Sequence, residues 1–126
     1  MGSRLYREKV LDHYRNPRRE GLLEAPDGEA EGSNTSCGDR VTITLAVDGE
    51  NIQRIGFEAS GCAITVAAAS MLAEDVEGED VAAVREDAVE RVTELLGGEV
   101  AEQRRDCARL PAQVLQEALE EVVEGS

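Results

Sequence analysis

Between residues 40 and 72 the hydrophobic pattern changes period, and few folds accommodate both patterns side by side. From Arg40 the alternation is two: Val41, Ile43, Leu45 and Val47 fall on one face of a strand, Thr42 and Thr44 on the other. Asp48-Gly49-Glu50-Asn51 reads as a turn, and Ile52 to Ala59 returns as a second strand with Ile55, Phe57 and Ala59 on one face. The pair is an antiparallel hairpin. Ser60-Gly61-Cys62 then opens the run Ala63 to Leu72, which is apolar nearly all round and rich in small residues. Such a helix must be packed on several sides, and Gly78 ends it.

The flanks supply the remaining elements. Ser3 is a candidate N-cap for a first helix carrying Leu5, Tyr6, Val10, His13 and Tyr14 at helical spacing, stopped at Asn16-Pro17. Residues 18 to 36 read as a loop with one short edge strand near Ala30 to Asn34. Val81, Val84, Ala88, Val92, Leu95 and Leu96 mark a third helix ended by Gly97-Gly98, and Glu99 to Asp106 reads as a charged link. Val114, Leu115, Ala118, Leu119, Val122 and Val123 define the last helix, with Pro111 expected in its first turn and Cys107 just ahead of it. The expectation is an α+β fold: a small antiparallel β-sheet of about three strands with helices packed on one side, as one domain over residues 1–126.

Charge narrows the function. The chain has 27 acidic against 13 basic residues, a net charge of −14, and Lys9 is its one lysine. A phosphate backbone would be repelled by most of this surface, so nucleic acid is not an expected partner. Such acidity suits a cytoplasm of high ionic strength, where a short Debye length screens self-repulsion. A GC-rich genome that prefers Arg codons explains the Lys deficit but less well the net charge. There is no apolar run long enough to span a membrane and no basic-then-apolar leader, so the expected setting is cytoplasmic, with no membrane partner.

Three cysteines is an odd number, and a chain expected in the cytosol has little reason to carry a structural disulfide. A metal site or reactive thiols are the leading readings. Cys62 lies at the strand-to-helix turn and Cys107 ahead of the last helix, where unpaired N–H groups and the helix dipole favour a thiolate. Cys37 lies in the Ser36-Cys37-Gly38-Asp39 turn before the first long strand. The entrance of that strand and the exit of the next are side by side in a hairpin, so Cys37 and Cys62 can be neighbours. Three buried core cysteines without function are the bland alternative.

Asn34-Thr35-Ser36-Cys37-Gly38-Asp39 resembles the cysteine-glycine-aspartate motif of iron–sulfur scaffolds of the IscU/SufU/NifU N-terminal family. Gly61-Cys62-Ala63-Ile64 with its small-residue helix resembles their second motif, and Cys107-Ala108-Arg109-Leu110 their third. The opening run Tyr6, Val10, Asp12-His13-Tyr14, Asn16-Pro17-Arg18 and Gly21 is similar to the family's first segment. The ordered set is specific, with 25 residues from Cys37 to Cys62 and 45 from Cys62 to Cys107. The resemblance implies that Cys37, Cys62 and Cys107 are sulfur ligands and Asp39 a fourth, exchangeable one. Three thiolates and a carboxylate suit tetrahedral zinc or a [2Fe-2S] cluster, and the hard carboxylate would make that cluster labile.

The resemblance further implies a scaffold for assembly and transfer of an iron–sulfur cluster, a carrier rather than an enzyme. A cysteine desulfurase would deliver sulfur, and apo iron–sulfur proteins would receive the cluster. The alternative is a zinc-binding SufU-type sulfur acceptor in which Cys107 or Cys62 carries persulfide; a thiol redox protein using Cys62 with Cys107 is the third reading. In the IscU branch a His precedes the third cysteine, where this chain has Asp106. Val100-Ala101-Glu102-Gln103-Arg104 replaces the segment read there by an Hsp70-type chaperone, which weighs against that partner. Arg105-Asp106-Cys107-Ala108 is nearer to SufU, yet the insertion typical of SufU is missing. His13 reads as a packing or capping residue rather than a ligand, Asp106 as a solvated charge, and Arg104 and Arg105 as part of the link.

Overall fold

The computed structural model describes residues 2–35 and 38–125, without the side chains of residues 2–6, 99, 103 and 123–125. Helix α1 (Gly2–Arg15) is followed by strands β1 (Gly28–Asn34), β2 (Asp39–Asp48) and β3 (Asn51–Ser60). Helices α2 (Ala63–Val76), α3 (Val81–Leu96), α4 (Gly98–Gln103) and α5 (Arg105–Gly125) complete the chain. The strands form one antiparallel sheet in the order β1-β2-β3, with Ile43 opposite Ala30 on one side and Phe57 on the other. This is the expected α+β arrangement.

One face of the sheet makes the core. Val41, Ile43, Leu45, Ile55 and Phe57 are buried there, under α5 on β1 and β2 and under α2 on β3. Helix α1 packs on α2, and α3 packs on α5. The all-round apolar reading of α2 holds, since every residue from Thr65 to Ala73 is buried. Strand β1 begins two residues earlier than expected. Its inward positions are Gly28, Ala30 and Gly32, and a Cβ on Gly32 would come within 2.7 Å of the Val114 side chain. Small residues there let α5 lie close on the edge strand.

Thr44, expected on the open face, is fully buried. The segment after α1 runs back along β3: Gly21 N–H donates to Phe57 O at 2.7 Å and Phe57 N–H to Arg19 O at 3.1 Å. The same segment covers Thr44, whose Oγ1 accepts from Leu23 N–H at 3.0 Å and donates to Gly56 O at 3.2 Å. Residues 19–23 thus pair an otherwise open edge.

Three local expectations are corrected. Helix α1 already includes Gly2, so Ser3 does not cap it, and Tyr14 is 45% exposed while Val10 and His13 face inward. The charged link is helical: it holds α4, a break at Arg104 (φ −124°, ψ 48°) and the start of α5. Pro111 lies inside α5, in its second turn, and Cys107 lies within the first turn rather than ahead of it. A proline there cannot donate to the carbonyl four residues back, which is that of Cys107. Among the described residues no helix is long and apolar enough to cross a membrane.

Candidate functional site

Three of the four expected site residues lie among the described residues, and they meet at one end of the sheet. Asp39 opens β2 and is 1% exposed; Cys62 is the N-cap of α2; Cys107 is in the first turn of α5 and 3% exposed. The Asp39 carboxylate joins the other two. Its Oδ1 accepts from Cys62 N–H at 2.8 Å, and its Oδ2 accepts from the Cys107 thiol at 3.3 Å. The Cys62 sulfur in turn accepts from Ile64 N–H at 3.3 Å, the capping bond of α2. Both cysteines are free thiols. Cys37 lies outside the described residues.

The backbone is shaped for this contact. Gly61 has φ +116°, and a Cβ on it would come within 2.9 Å of Asp39 Cα and closer still to the carboxylate. No other residue type fits without moving β2 away from the start of α2. The sequence places glycine beside this cysteine, and its role is to let the carboxylate approach.

Burial governs the electrostatics. The Cys107 thiol is pushed up to about 12 by burial first, then by its hydrogen bond to Asp39 and by Cys62, while Thr65 acts in the opposite sense. Proximity to a helix N-terminus does not win here: desolvation disfavours the anion more than the dipole favours it. Cys107 is therefore a neutral donor to the Asp39 carboxylate. Among the described residues no three His, Cys, Asp or Glu side chains form a group that could hold a metal ion. Asp39 holds both partners through hydrogen bonds, so its oxygens must give these up before either could ligate.

The other residues singled out from the sequence sit elsewhere. His13 Nδ1 is 2.8 Å from Ser70 Oγ, which also accepts from Arg18 N–H at 2.8 Å, tying the end of α1 to α2. This is the packing role expected. Burial chiefly, and then Arg18, lower its pKa. Asp106 and Arg104 are exposed, and Arg105 pairs with Glu102 on the surface. Asp106 is therefore a solvated charge in the first turn of α5.

One residue at the site carries no sequence-based expectation. Thr65, fully buried in the first turn of α2, has an Oγ1 with no hydrogen-bond partner among the described residues. An unpaired buried hydroxyl costs about 1–3 kcal/mol. Its signal in the sequence is a polar residue in an apolar run, three positions after Cys62.

The family model of the NifU-like N terminal domain matches residues 5–124. The iron-sulfur cluster assembly scaffold protein IscU 1 of Archaeoglobus fulgidus is 36% identical over 115 residues, 91% of this chain and 74% of that protein. The zinc-dependent sulfurtransferase SufU of Bacillus subtilis is 39% identical over 77 residues, 61% of this chain and 52% of that protein. The N-terminal domain of a NifU-like protein from Brucella abortus superposes with a TM-score of 0.82 at 21% identity, over 96% of both chains, and so shares the fold. By its matched length and its relatives, this chain belongs to the NifU-like N-terminal domain family.

Proposed function

We propose that this chain is a cytoplasmic scaffold on which an iron–sulfur cluster is assembled and from which it is handed on. Cys37, Cys62, Cys107 and Asp39 would be the ligands. One observation carries the reading: a buried carboxylate bonded at once to the backbone of one cysteine and the thiol of another. A carboxylate so buried needs strong partners, and a cationic cargo held by thiolates supplies them. The donor set fits: soft thiolates suit iron and sulfide, and a single hard carboxylate keeps one position exchangeable. Loading requires the Cys107 proton to leave for solvent, which also frees Asp39 Oδ2 from the thiol it now holds. A cysteine desulfurase would supply sulfur, and apo-proteins would accept the cluster; turnover then belongs to the assembly machine.

The relative named a zinc-dependent sulfurtransferase favours a second reading. The same four residues would hold zinc, which would keep their sulfurs deprotonated. A cysteine of this chain then attacks the outer sulfur of the donor's persulfide. That sulfur transfers, a persulfide forms here, and the donor's thiolate leaves.

Two measurements test the proposal. Anaerobic incubation with desulfurase, cysteine, ferrous iron and a reductant should give sulfur-to-iron charge-transfer absorption that is lost in Cys62→Ala and Cys107→Ala. A wild type as colourless as these variants would sink the scaffold reading. Stoichiometric zinc on isolation, with stimulated desulfurase but no colour, would establish the second reading instead.

A further inference from the structure

Beside the cysteine site, and outside the residues assigned to it, lies a cavity of about 390 Å³ between the end of β1 and the first turns of α5. That volume is in the range of small-molecule sites. The strand side presents Ser33 and, just after it, Thr35. The helix side presents Asp106, Arg109, Leu110 and Gln113, which are spaced i, i+3, i+4 and i+7 and so share one face. Leu110 is buried against β1, where a Cβ on Gly32 would come within 3.4 Å of its Cδ1, and it forms the apolar floor. Both sides adjoin the cysteine site. Asn34, also in the lining, is the cross-strand partner of Asp39, and Asp106 immediately precedes Cys107.

Two charges in this cavity have no partner among the described residues. Asp106 and Arg109 are exposed and three positions apart, close enough to pair, yet neither forms an ion pair or a hydrogen bond with any of them. A ligand that satisfies both carries both signs. An anion is repelled by Asp106 and by a net charge of −14, and a simple amine leaves Arg109 unmatched. A zwitterion is neutral as a whole, and an α-amino acid sets its ammonium and its carboxylate side by side. The planar guanidinium of Arg109 suits the carboxylate and Asp106 suits the ammonium, while the hydroxyls of Ser33 and Thr35 and the Gln113 amide supply further donors and acceptors. We propose that this cavity binds free L-cysteine by its head group, with the carboxylate on Arg109 and the ammonium on Asp106. The choice of cysteine among amino acids rests on the reading of the adjoining residues as a site that handles sulfur; the head-group contacts do not. The consequence is a thiol that the chain does not encode, held next to a proposed ligand set in which one of the four is a carboxylate.

L-Cysteine itself is the probe, titrated into the reduced, metal-free full chain and followed by ligand-detected NMR. Binding should saturate. Cysteamine, which lacks the carboxylate, and 3-mercaptopropionate, which lacks the ammonium, should each bind about 10-fold more weakly or worse. L-Alanine should bind about as well as L-cysteine, because the head group carries the recognition. Arg109→Gln and Asp106→Asn should each weaken L-cysteine about 10-fold, with melting temperatures within about 2 °C of wild type because both side chains are exposed. No saturation by L-cysteine, or an affinity that both substitutions leave unchanged, overturns the inference and leaves the scaffold reading untouched. Cysteamine or 3-mercaptopropionate binding as tightly as L-cysteine overturns it too, because one charge then suffices. A wild type that binds L-cysteine but forms no coloured cluster and holds no zinc overturns the choice of cysteine, while the head-group contacts stand.

Discussion

Substituting Gly61 by alanine should separate two costs that usually arrive together. The first is conformational: at φ +116° an L side chain is strained by about 1–3 kcal/mol. The second is steric. The new Cβ meets Asp39 Cα at 2.9 Å and the carboxylate more closely, and the backbone atom cannot rotate away. Forcing a methyl into such a contact costs a further ~1–3 kcal/mol. Gly78→Ala is the matched control, since Gly78 has φ +91° but a Cβ added there would meet nothing within 4 Å. It carries the conformational cost only. Gly61→Ala should therefore be less stable than Gly78→Ala by about 1–3 kcal/mol. For a chain of this size about 4 °C accompanies each kcal/mol, so the melting temperatures should differ by about 4–12 °C.

Far-UV circular dichroism on the reduced, metal-free proteins gives both values. A second readout ties the result to the site. Relief of the overlap must separate Asp39 from the start of α2, which breaks the bond from Cys62 N–H. Peptide-resolved alkylation of Cys107 should accordingly change in Gly61→Ala and stay unchanged in Gly78→Ala. Equal melting temperatures for the two variants would refute the claim that Gly61 is there to admit Asp39.

Arg91, 19% exposed, meets Asp87 at 2.6 Å and Asp75 and Glu79 at 3.1 Å each. Arg91→Ala should cost about 1–2 kcal/mol at low salt, with the deficit shrinking near 1 M salt as repulsion among the three carboxylates is screened. His13 is held below its ordinary 6.5, chiefly by burial, so below pH 6.5 the unfolded chain binds a proton that the folded chain resists. Its contribution to stability is full above pH 6.5 and is lost as pH falls from there. Denaturant midpoints should drop more steeply on acidification for wild type than for His13→Gln, and parallel curves would refute this. With a net charge of −14, the melting temperature should rise between about 0.1 M and about 1 M KCl, and a flat profile would remove self-repulsion as a significant term.

The hairpin and α2 are legible in the sequence because each has an unambiguous period and the turn between the strands has its own chemistry. Strand β1 is legible only in part. Its alternation sets small residues, Gly28, Ala30 and Gly32, against Glu29, Glu31 and Ser33, which a search for apolar residues does not register. The small residues are dictated by the closeness of α5, a tertiary fact. Thr44 escapes for a like reason, since nothing near it in the sequence announces that residues 19–23 return to cover it. At the start of α5 a sound local rule misleads. Proline favours a first turn, but here the helix continues back past it to Arg105. The consequence is chemical, because it carries Cys107 into the helix and below the surface, where burial outweighs the dipole.

The apolar run of α2 shows where a sequence stops being informative about a site. It contains two polar residues that look alike, Thr65 and Ser70, both fully buried. Composition gives each the same meaning, a hydroxyl tolerated in a helix packed on all sides. Their partners separate them. Ser70 is satisfied by His13 and by the backbone of Arg18, so it holds α1 to α2. Thr65 has no hydrogen-bond partner among the described residues, so its hydroxyl is a cost that the packing around it offsets. Replacing Ser70 by alanine should therefore lower the melting temperature, while replacing Thr65 by valine should leave it unchanged or raise it, and equal losses in the two variants would refute the distinction.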